Sequence, residues 1–266
     1  MNTLTFNEEI WEKGRELYRD MPWRDNTDPY YVLVSELMLQ QTQVDRVIPK
    51  FELFMSTFPS IADLASAPLA DVLTVWSGLG YNRRAKFLHE AAKKVVAEYK
   101  GSIPDTYEGL VSLPGVGPNT AGAILAYSFN QPIVFIETNI RTVYFHHFFE
   151  DQALVTDAEL RKLAEETIDK EHPREWYWAL MDYGSSLKKQ GAGRIDKSSH
   201  YKRQAPLKGS LREVRGLILK ALAKKDYNQT ELRAELPADE RFATALEALK
   251  TEGLITQTGH RLHLTR

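Results

Sequence analysis

Two features of the sequence bring together residue types with chemistry in them. The first is the run Leu113, Pro114, Gly115, Val116, Gly117, followed by Pro118, Asn119, Thr120, Ala121, Gly122. A helical pattern ending at Ser112 is turned by this glycine-bearing loop into a second helix, whose Pro118 suits a first turn where a missing amide hydrogen costs nothing. Such a helix-hairpin-helix aims its loop amides and the N-terminus of its second helix outward. Converging donors and the helix dipole then favour a phosphate. A plain helix-helix turn that needs glycine accounts for the same residues equally well. The second feature is Glu36, set between Val34 and Leu37 in an otherwise apolar helical stretch. Burial there would favour the protonated carboxyl, a proton donor; a surface glutamate on an amphipathic helix is the plainer alternative.

Holding such groups in place falls to helices. From Phe6 to about Tyr183 apolar residues recur at helical spacing between short Pro or Gly interruptions, and the pattern predicts helices over 31–41, 43–57, 61–66, 69–75, 82–99, 106–112, 119–128, 139–146, 157–168 and 175–187. The polar stretch after them carries Lys188, Lys189, Arg194, Lys197, Lys202 and Arg203 against Asp196 alone, with Gly191 and Gly193. It reads as a linker. Beyond it Ser210 is placed to cap a helix with Leu211, Val214, Leu217, Ile218, Ala221 and Leu222, and further helices fit 229–236 and 241–252. Gly253 stops the last of these, and 254–257 and 261–265 alternate as two strands around Thr258 and Gly259. Three helices and a hairpin make a winged-helix module. Such modules bind duplex DNA through the third helix or dock proteins about equally often. Here Arg241, Lys250, His260 and Arg261 fall on or near the elements that would meet a groove and its phosphates. The expected domains are 1–187, a linker 188–207, and 208–266.

Composition sets the bounds. The chain has 266 residues, 43% hydrophobic and 26% charged, with Lys+Arg 34 against Asp+Glu 36 for a formal charge of -2. It does not hold polyanions by overall charge, so any basic surface is local. With no cysteine, disulfides, thiolate metal sites and thiolate-held iron-sulfur clusters are excluded. No basic start with an apolar stretch opens the chain and no segment has bilayer-spanning length. A soluble, intracellular protein is expected.

Further residues carry a resemblance. Pro22, Trp23, Arg24, Pro29 and Tyr30, then Val34, Ser35, Glu36, Leu37, Met38, Leu39, Gln40, Gln41, Thr42, Gln43 and Val44 closely resemble the N-terminal signature of MutY-like adenine DNA glycosylases. Trp76, Ser77, Gly78, Leu79, Gly80 and Tyr81, with Arg83 and Arg84, continue the match in order, and the hairpin follows. The resemblance covers about 6–183. It implies a mostly α, two-lobed helix-hairpin-helix glycosylase fold with a DNA cleft and base pocket between the lobes. It also implies the residue roles. Glu36 falls on the family's acid. Glu137, in Glu137, Thr138, Asn139, stands where the family's pattern has an aspartate, glycine and asparagine, so Glu137 and Asn139 join Glu36 as catalytic candidates. Trp23, Arg24, Asn119 and Trp178 are the expected base pocket. Gln40, Gln41, Tyr81 and the loop Pro114, Gly115, Val116, Gly117 are the expected DNA contacts, Gln41 and Tyr81 filling the gap left by a flipped base. From its charge alone, the basic run that includes Lys188 and Lys189 is expected to add a salt-dependent phosphate grip, a plain solvated run being the alternative.

The departures matter as much. Glu137 is one methylene longer than the family aspartate, and a misplacement of that size can cost roughly a hundredfold in rate. Its alternative role is a plain anion at a helix N-terminus. Asn119 occupies a position where endonuclease III-like enzymes carry a nucleophilic lysine, so simple hydrolysis is expected. Cluster cysteines would fall near Lys188, Ile195, Ser198 and Gln204, and none is there; no cofactor is expected. Trp178 stands near a residue that reads adenine in the family, although packing is the plainer role for at least two of Trp176, Tyr177 and Trp178. The winged helix takes the place of the family's oxidised-guanine reader. The expectation is therefore a monofunctional base-excision glycosylase, a monomer in the cytoplasm at the nucleoid or in the nucleus, acting on duplex DNA with a damaged or mispaired base. Between two bases, the departures favour a modified uracil such as hydroxymethyluracil, whose carbonyl and N-H complement an asparagine amide. Adenine opposite oxidised guanine is the alternative. A non-catalytic DNA-binding protein is the alternative of another class.

Overall fold

A computed structural model describes residues 2–150, 152, 154–192, 206–236 and 239–266. Its elements begin with α1 (Thr3–Glu16), α2 (Pro22–Asp25), α3 (Pro29–Leu39), α4 (Val44–Thr57), α5 (Ile61–Ser66), α6 (Leu69–Trp76), α7 (Arg83–Glu98) and α8 (Tyr107–Val111). They continue with α9 (Pro118–Phe129), α10 (Thr138–Phe148), α11 (Asp157–Thr167), α12 (Pro173–Lys189), α13 (Leu211–Leu222), α14 (Gln229–Glu235), α15 (Arg241–Thr251), β1 (Ile255–Thr258) and β2 (Arg261–Leu264). The class is mostly α. Each helix expected from 31 onward is present, with ends within two residues of the pattern; α1 and α2 are additions. The elements gather into two compact units.

The first unit comprises Met1–Val32, Asp105–Val111 and Val116–Arg203. In α1, Phe6, Ile10 and Gly14 recur every fourth residue and so share a face. Phe6 packs its ring 5.3 Å from Tyr144 and 6.1 Å from Trp176. A Cβ at Gly14 would sit 2.6 Å from that of Ala179, so a bare Cα sets how closely α1 meets α12. Below α12, Arg24 grips Asp182 with two bonds of 2.7 and 2.9 Å, and Arg19 adds a third at 2.6 Å. A buried carboxylate is tolerated there because it is paired and hydrogen-bonded.

The second unit comprises Leu33–Pro104, Ser112–Gly115 and Gln204–Arg266. Along α7, Ala85, Leu88, Ala92 and Val95 are buried at helical spacing, which makes this helix the unit's spine. The C-terminal elements build their own core from Val214, Ile218, Leu222, Leu232, Phe242, Leu246, Leu249, Leu262 and Leu264. Their hairpin pairs Ile255 with Leu264 and Thr258 with Arg261, and Tyr227 bridges to Leu262. Ser210 stands at the N-cap of α13, but its hydroxyl donates to the Leu207 carbonyl at 2.6 Å; the turn is closed instead by Glu213, which accepts from the Gly209 amide at 2.8 Å. Of the expected linker, 193–205 lie outside the described residues, Arg194, Lys197, Lys202 and Arg203 among them. Among the described residues no helix is long and apolar enough to cross a membrane.

Candidate functional site

In the first unit the chemistry gathers at the start of α10. The apolar pair Phe135 and Ile136 is buried and delivers the chain to Glu137, the N-cap residue. Its backbone carbonyl accepts from the Arg141 amide at 2.8 Å, while its carboxylate makes no capping bond. The side chain is therefore not committed to holding its own helix. Burial pushes the Glu137 carboxyl above the usual carboxylate range, and the Lys188 ammonium opposes that shift. Lys188 is the reciprocal case: burial lowers its ammonium while Glu137 raises it. Its Nζ donates to Asn139 Oδ1 at 3.1 Å. A Cβ at Gly184 would collide with the Asn139 carbonyl oxygen, so only a bare Cα lets α12 approach the backbone of α10 at this point. Glu137, Asn139 and Lys188 are thus brought together. Lys189 is exposed in the last turn of α12.

Asn119, expected at the base, lies in the first turn of α9 and bonds the backbone just before α10. Its Nδ2 donates to the Ile136 carbonyl at 2.9 Å and its Oδ1 accepts from the Ile136 amide at 3.4 Å. The donor-acceptor edge that would match a uracil is the edge that clamps the residue before Glu137. Arg24, also expected at the base, instead commits its guanidinium to Asp182, and Trp23 beside it is buried. Trp178 is half-buried, stacked on Tyr127 at 6.4 Å with the Arg24 guanidinium 5.3 Å from its ring. Trp176 and Tyr177 are core residues.

In the second unit α7 organises three elements. Glu36 lies half-buried in α3 among buried Val34, Ser35, Leu37 and Met38. Arg84 closes the C-terminal end of that helix: Nη1 donates to the carbonyls of Leu37, Met38 and Gln40 at 2.6–2.8 Å, and Nη2 to Thr42 Oγ1 and the Gly80 carbonyl at 3.1 Å. Burial brings the Arg84 guanidinium down to about 10, so it stays charged at neutral pH. It ties together two turns whose tips, Gln41 (φ 56°) and Tyr81 (φ 48°), are non-glycine residues in the left-handed region. Such backbone persists only where its surroundings hold it. The hairpin loop is pinned by the same helix. Ser112 accepts from Lys94 at 2.9 Å, its hydroxyl bonds Tyr99 at 3.1 Å, and a Cβ at Gly115 (φ 79°) would lie 2.8 Å from that of Phe87. Gln40 reaches the Gly115 carbonyl at 3.5 Å. Pro114 is partly exposed, Val116 is buried, and Gly117 is the N-cap of α9.

Sequence reasoning missed Arg84 as the tie, Asp182 as the partner of Arg24, and Arg212, whose guanidinium meets Tyr81. For Arg84 a signal was present, since it follows the Gly80, Tyr81 turn by one helical step. For Arg212 none was.

A profile of the family described as "HhH-GPD superfamily base excision DNA repair protein" matches residues 34–170. An adenine DNA glycosylase of Mycobacterium tuberculosis is 32% identical over an alignment covering 91% of this chain and 87% of that protein. The tenth of the chain left out is far shorter than residues 208–266, so part of the C-terminal module lies within that match. An adenine DNA glycosylase of Buchnera aphidicola (Baizongia pistaciae) is 35% identical over 70% of this chain. The chain spans about half the length of the Buchnera relatives it matches, 54% and 49%. Among solved structures, a thermostable thymine-DNA glycosylase is similar with a TM-score of 0.63 at 26% identity, covering 69% of this chain and 86% of that one. A trapped endonuclease III-DNA intermediate shares the fold, with a TM-score of 0.57 at 17% identity over 77% of this chain and 91% of its own.

Proposed function

The chain belongs to the HhH-GPD superfamily of base excision DNA repair proteins, and on that premise we propose that it is a monofunctional DNA glycosylase that hydrolyses the bond between a flipped adenine and its sugar. The observation that carries the reading is Glu137: a half-buried carboxylate at the start of α10, free of capping duty, with the Lys188 ammonium close enough to act on it by charge. Breaking a base-sugar bond passes through an oxocarbenium-like transition state, which asks for negative charge beside the sugar and a proton on the departing base. Glu137 supplies the first and Glu36 the second. Water adds to the sugar carbon and gives up one proton to solvent as the base leaves with the proton of Glu36, which solvent then restores. Asn119 in place of a lysine leaves no amine there for a Schiff base. With no cysteine in the chain, the protein folds and acts without a thiolate-held iron-sulfur cluster. Duplex DNA carrying a mispaired base is the partner, bound by a single copy of the chain inside the cell.

Adenine is favoured over a modified uracil on two grounds. The Asn119 edge that would pair with uracil holds Ile136, and a relative named for adenine aligns with nine-tenths of the chain. Adenine is also the poorer leaving anion, so its release draws on the proton that Glu36 can give. The test is incubation with duplexes holding adenine opposite oxidised guanine, adenine opposite guanine, thymine opposite guanine, or hydroxymethyluracil, followed by alkali to reveal abasic sites. Cleavage of the adenine strand is expected, strongest opposite oxidised guanine, with strands intact until alkali is added. Release of hydroxymethyluracil or thymine but not adenine would overturn the substrate. Tight binding with no release from any duplex would make this a non-catalytic DNA-binding protein.

A further inference from the structure

Three of the basic residues expected to meet DNA in the C-terminal module are held in internal pairs. Arg241 holds Asp239 at 2.5 Å and Glu213 at 3.5 Å, Lys250 holds Glu247 at 3.1 Å, and Arg261 holds Glu231 at 3.1 Å. The exposed face of α15, its third helix, presents Ala243, Thr244 and Glu247. These features point away from a groove-reading helix.

What the module does touch is the start of α7. Arg212, in the first turn of α13, donates through Nη1 to the Tyr81 hydroxyl and stands 5.2 Å from the ring centre. Arg84 stands 5.5 Å from the same ring, so the tyrosine lies against two guanidinium groups. Five residues on, Lys86 donates to the Glu252 carbonyl at 2.6 Å. The Glu252 carboxylate is in turn gripped by Arg215 through bonds of 2.9 and 2.5 Å, one turn along α13 from Arg212. Tyr81, Arg212, Arg215, Glu252 and Lys86 therefore close a ring of contacts around the beginning of α7. Tyr81 needs such support, because its φ of 48° belongs to the left-handed region.

We infer that Arg212 is a positioning residue for Tyr81, and that the C-terminal module serves the repair reaction by presetting this side chain rather than by gripping DNA itself. A guanidinium bonded to the hydroxyl and lying near the ring fixes the rotamer of a side chain that must enter the base stack. The inference rests on the reading of Tyr81 as the residue that fills the gap left by a flipped base.

The test is a double-mutant cycle in the full-length chain. Arg212→Leu and Tyr81→Ala, singly and together, are compared by affinity for a duplex with a tetrahydrofuran abasic site and by single-turnover adenine release. Arg212→Leu should weaken affinity and slow release about fivefold, and by less than twofold once Tyr81→Ala is present, since contacting residues couple. Arg212→Lys should recover part of the loss. The slope of affinity against salt should not change. Losses that add, or a slope reduced by about 0.9 as for one lost phosphate contact, would overturn the inference, as would an Arg212→Leu protein that binds and reacts like the parent. If Arg212→Leu does not melt cooperatively, the same cycle with Arg212→Lys decides by the same criteria. The abasic duplex requires no catalysis. A wild-type protein that releases no base while the cycle still couples would therefore refute the glycosylase reading alone.

Discussion

At the start of α10 a half-buried carboxylate, Glu137, has no capping bond and one nearby ammonium, whereas at the start of α7 a buried guanidinium, Arg84, has five hydrogen bonds of 2.6–3.1 Å around it. Both groups are ionisable side chains drawn wholly or partly out of water, and loss of hydration shifts both toward the neutral form. Arg84 is satisfied by carbonyls and one hydroxyl, so its charge is used to hold shape. Glu137 makes no capping bond and is half-buried, so its carboxylate is not tied into the backbone of its own helix. A carboxyl whose protonation is shifted by its surroundings and which is not used to hold structure is a candidate for chemistry.

The comparison predicts different signatures for removing each charge. The largest effect is on rate. Glu36→Gln should lower single-turnover release about a thousandfold, because an amide holds hydrogen bonds yet cannot donate the proton. Glu137→Gln should lower it about a hundredfold through lost electrostatic stabilisation. The two should differ from an ordinary core lesion in stability. A carboxyl whose folded pKa lies above its unfolded value contributes stability at low pH and loses it as pH rises through the folded pKa. Glu137→Gln should therefore melt higher than the parent at neutral pH, and the gain should vanish as pH falls. A Glu137→Gln protein that melts lower at neutral pH would show the carboxylate to be structural.

Arg84→Met should do the reverse, with stability falling first. Taking this donor from the buried Leu37 and Met38 carbonyls costs about 2 kcal/mol or more. A fall of roughly 5–10 °C in melting temperature is expected, with weaker duplex binding as Gln41 and Tyr81 lose their anchor. An unchanged melting temperature would mean that the turns hold themselves.

The smallest effect is that of Lys188→Met. Burial raises the Glu137 carboxyl and Lys188 alone opposes it by charge; Arg19 faces Lys188, and Asp182 is held by Arg19 and Arg24. Without the ammonium the carboxyl should rise further. If release needs Glu137 ionised, the acid limb of the pH-rate profile should move to higher pH while rates on the alkaline side change a few-fold at most. A fixed profile with a shallower salt dependence would return Lys188 to the phosphate grip expected from its place in a basic run.

Those outcomes also measure how far the residues could be read without coordinates. The hairpin loop, the apolar setting of Glu36 and every helix from 31 onward were legible because each is a local pattern: glycine and proline at a turn, apolar residues at helical spacing. The environments of Asn119, Arg24 and Lys188 were not. Each has the right residue type in the right motif, and each spends its polar atoms on a neighbour that spacing does not reveal. The C-terminal module shows the same split, its helices and hairpin being readable while Arg241, Lys250 and Arg261 proved to be paired with acids.

Residue order alone specifies the elements, the absence of thiolate chemistry, and the family to which the motifs belong, since these follow from composition and from residues within a turn or two of one another. Which charge is satisfied and which is held in reserve was settled by the folded chain. Arg24 meets Asp182 across 158 residues, and Arg212 meets Tyr81 across 131. A polar group's protonation and role depend on the few ångströms around it, and those ångströms are furnished by segments that only folding brings together.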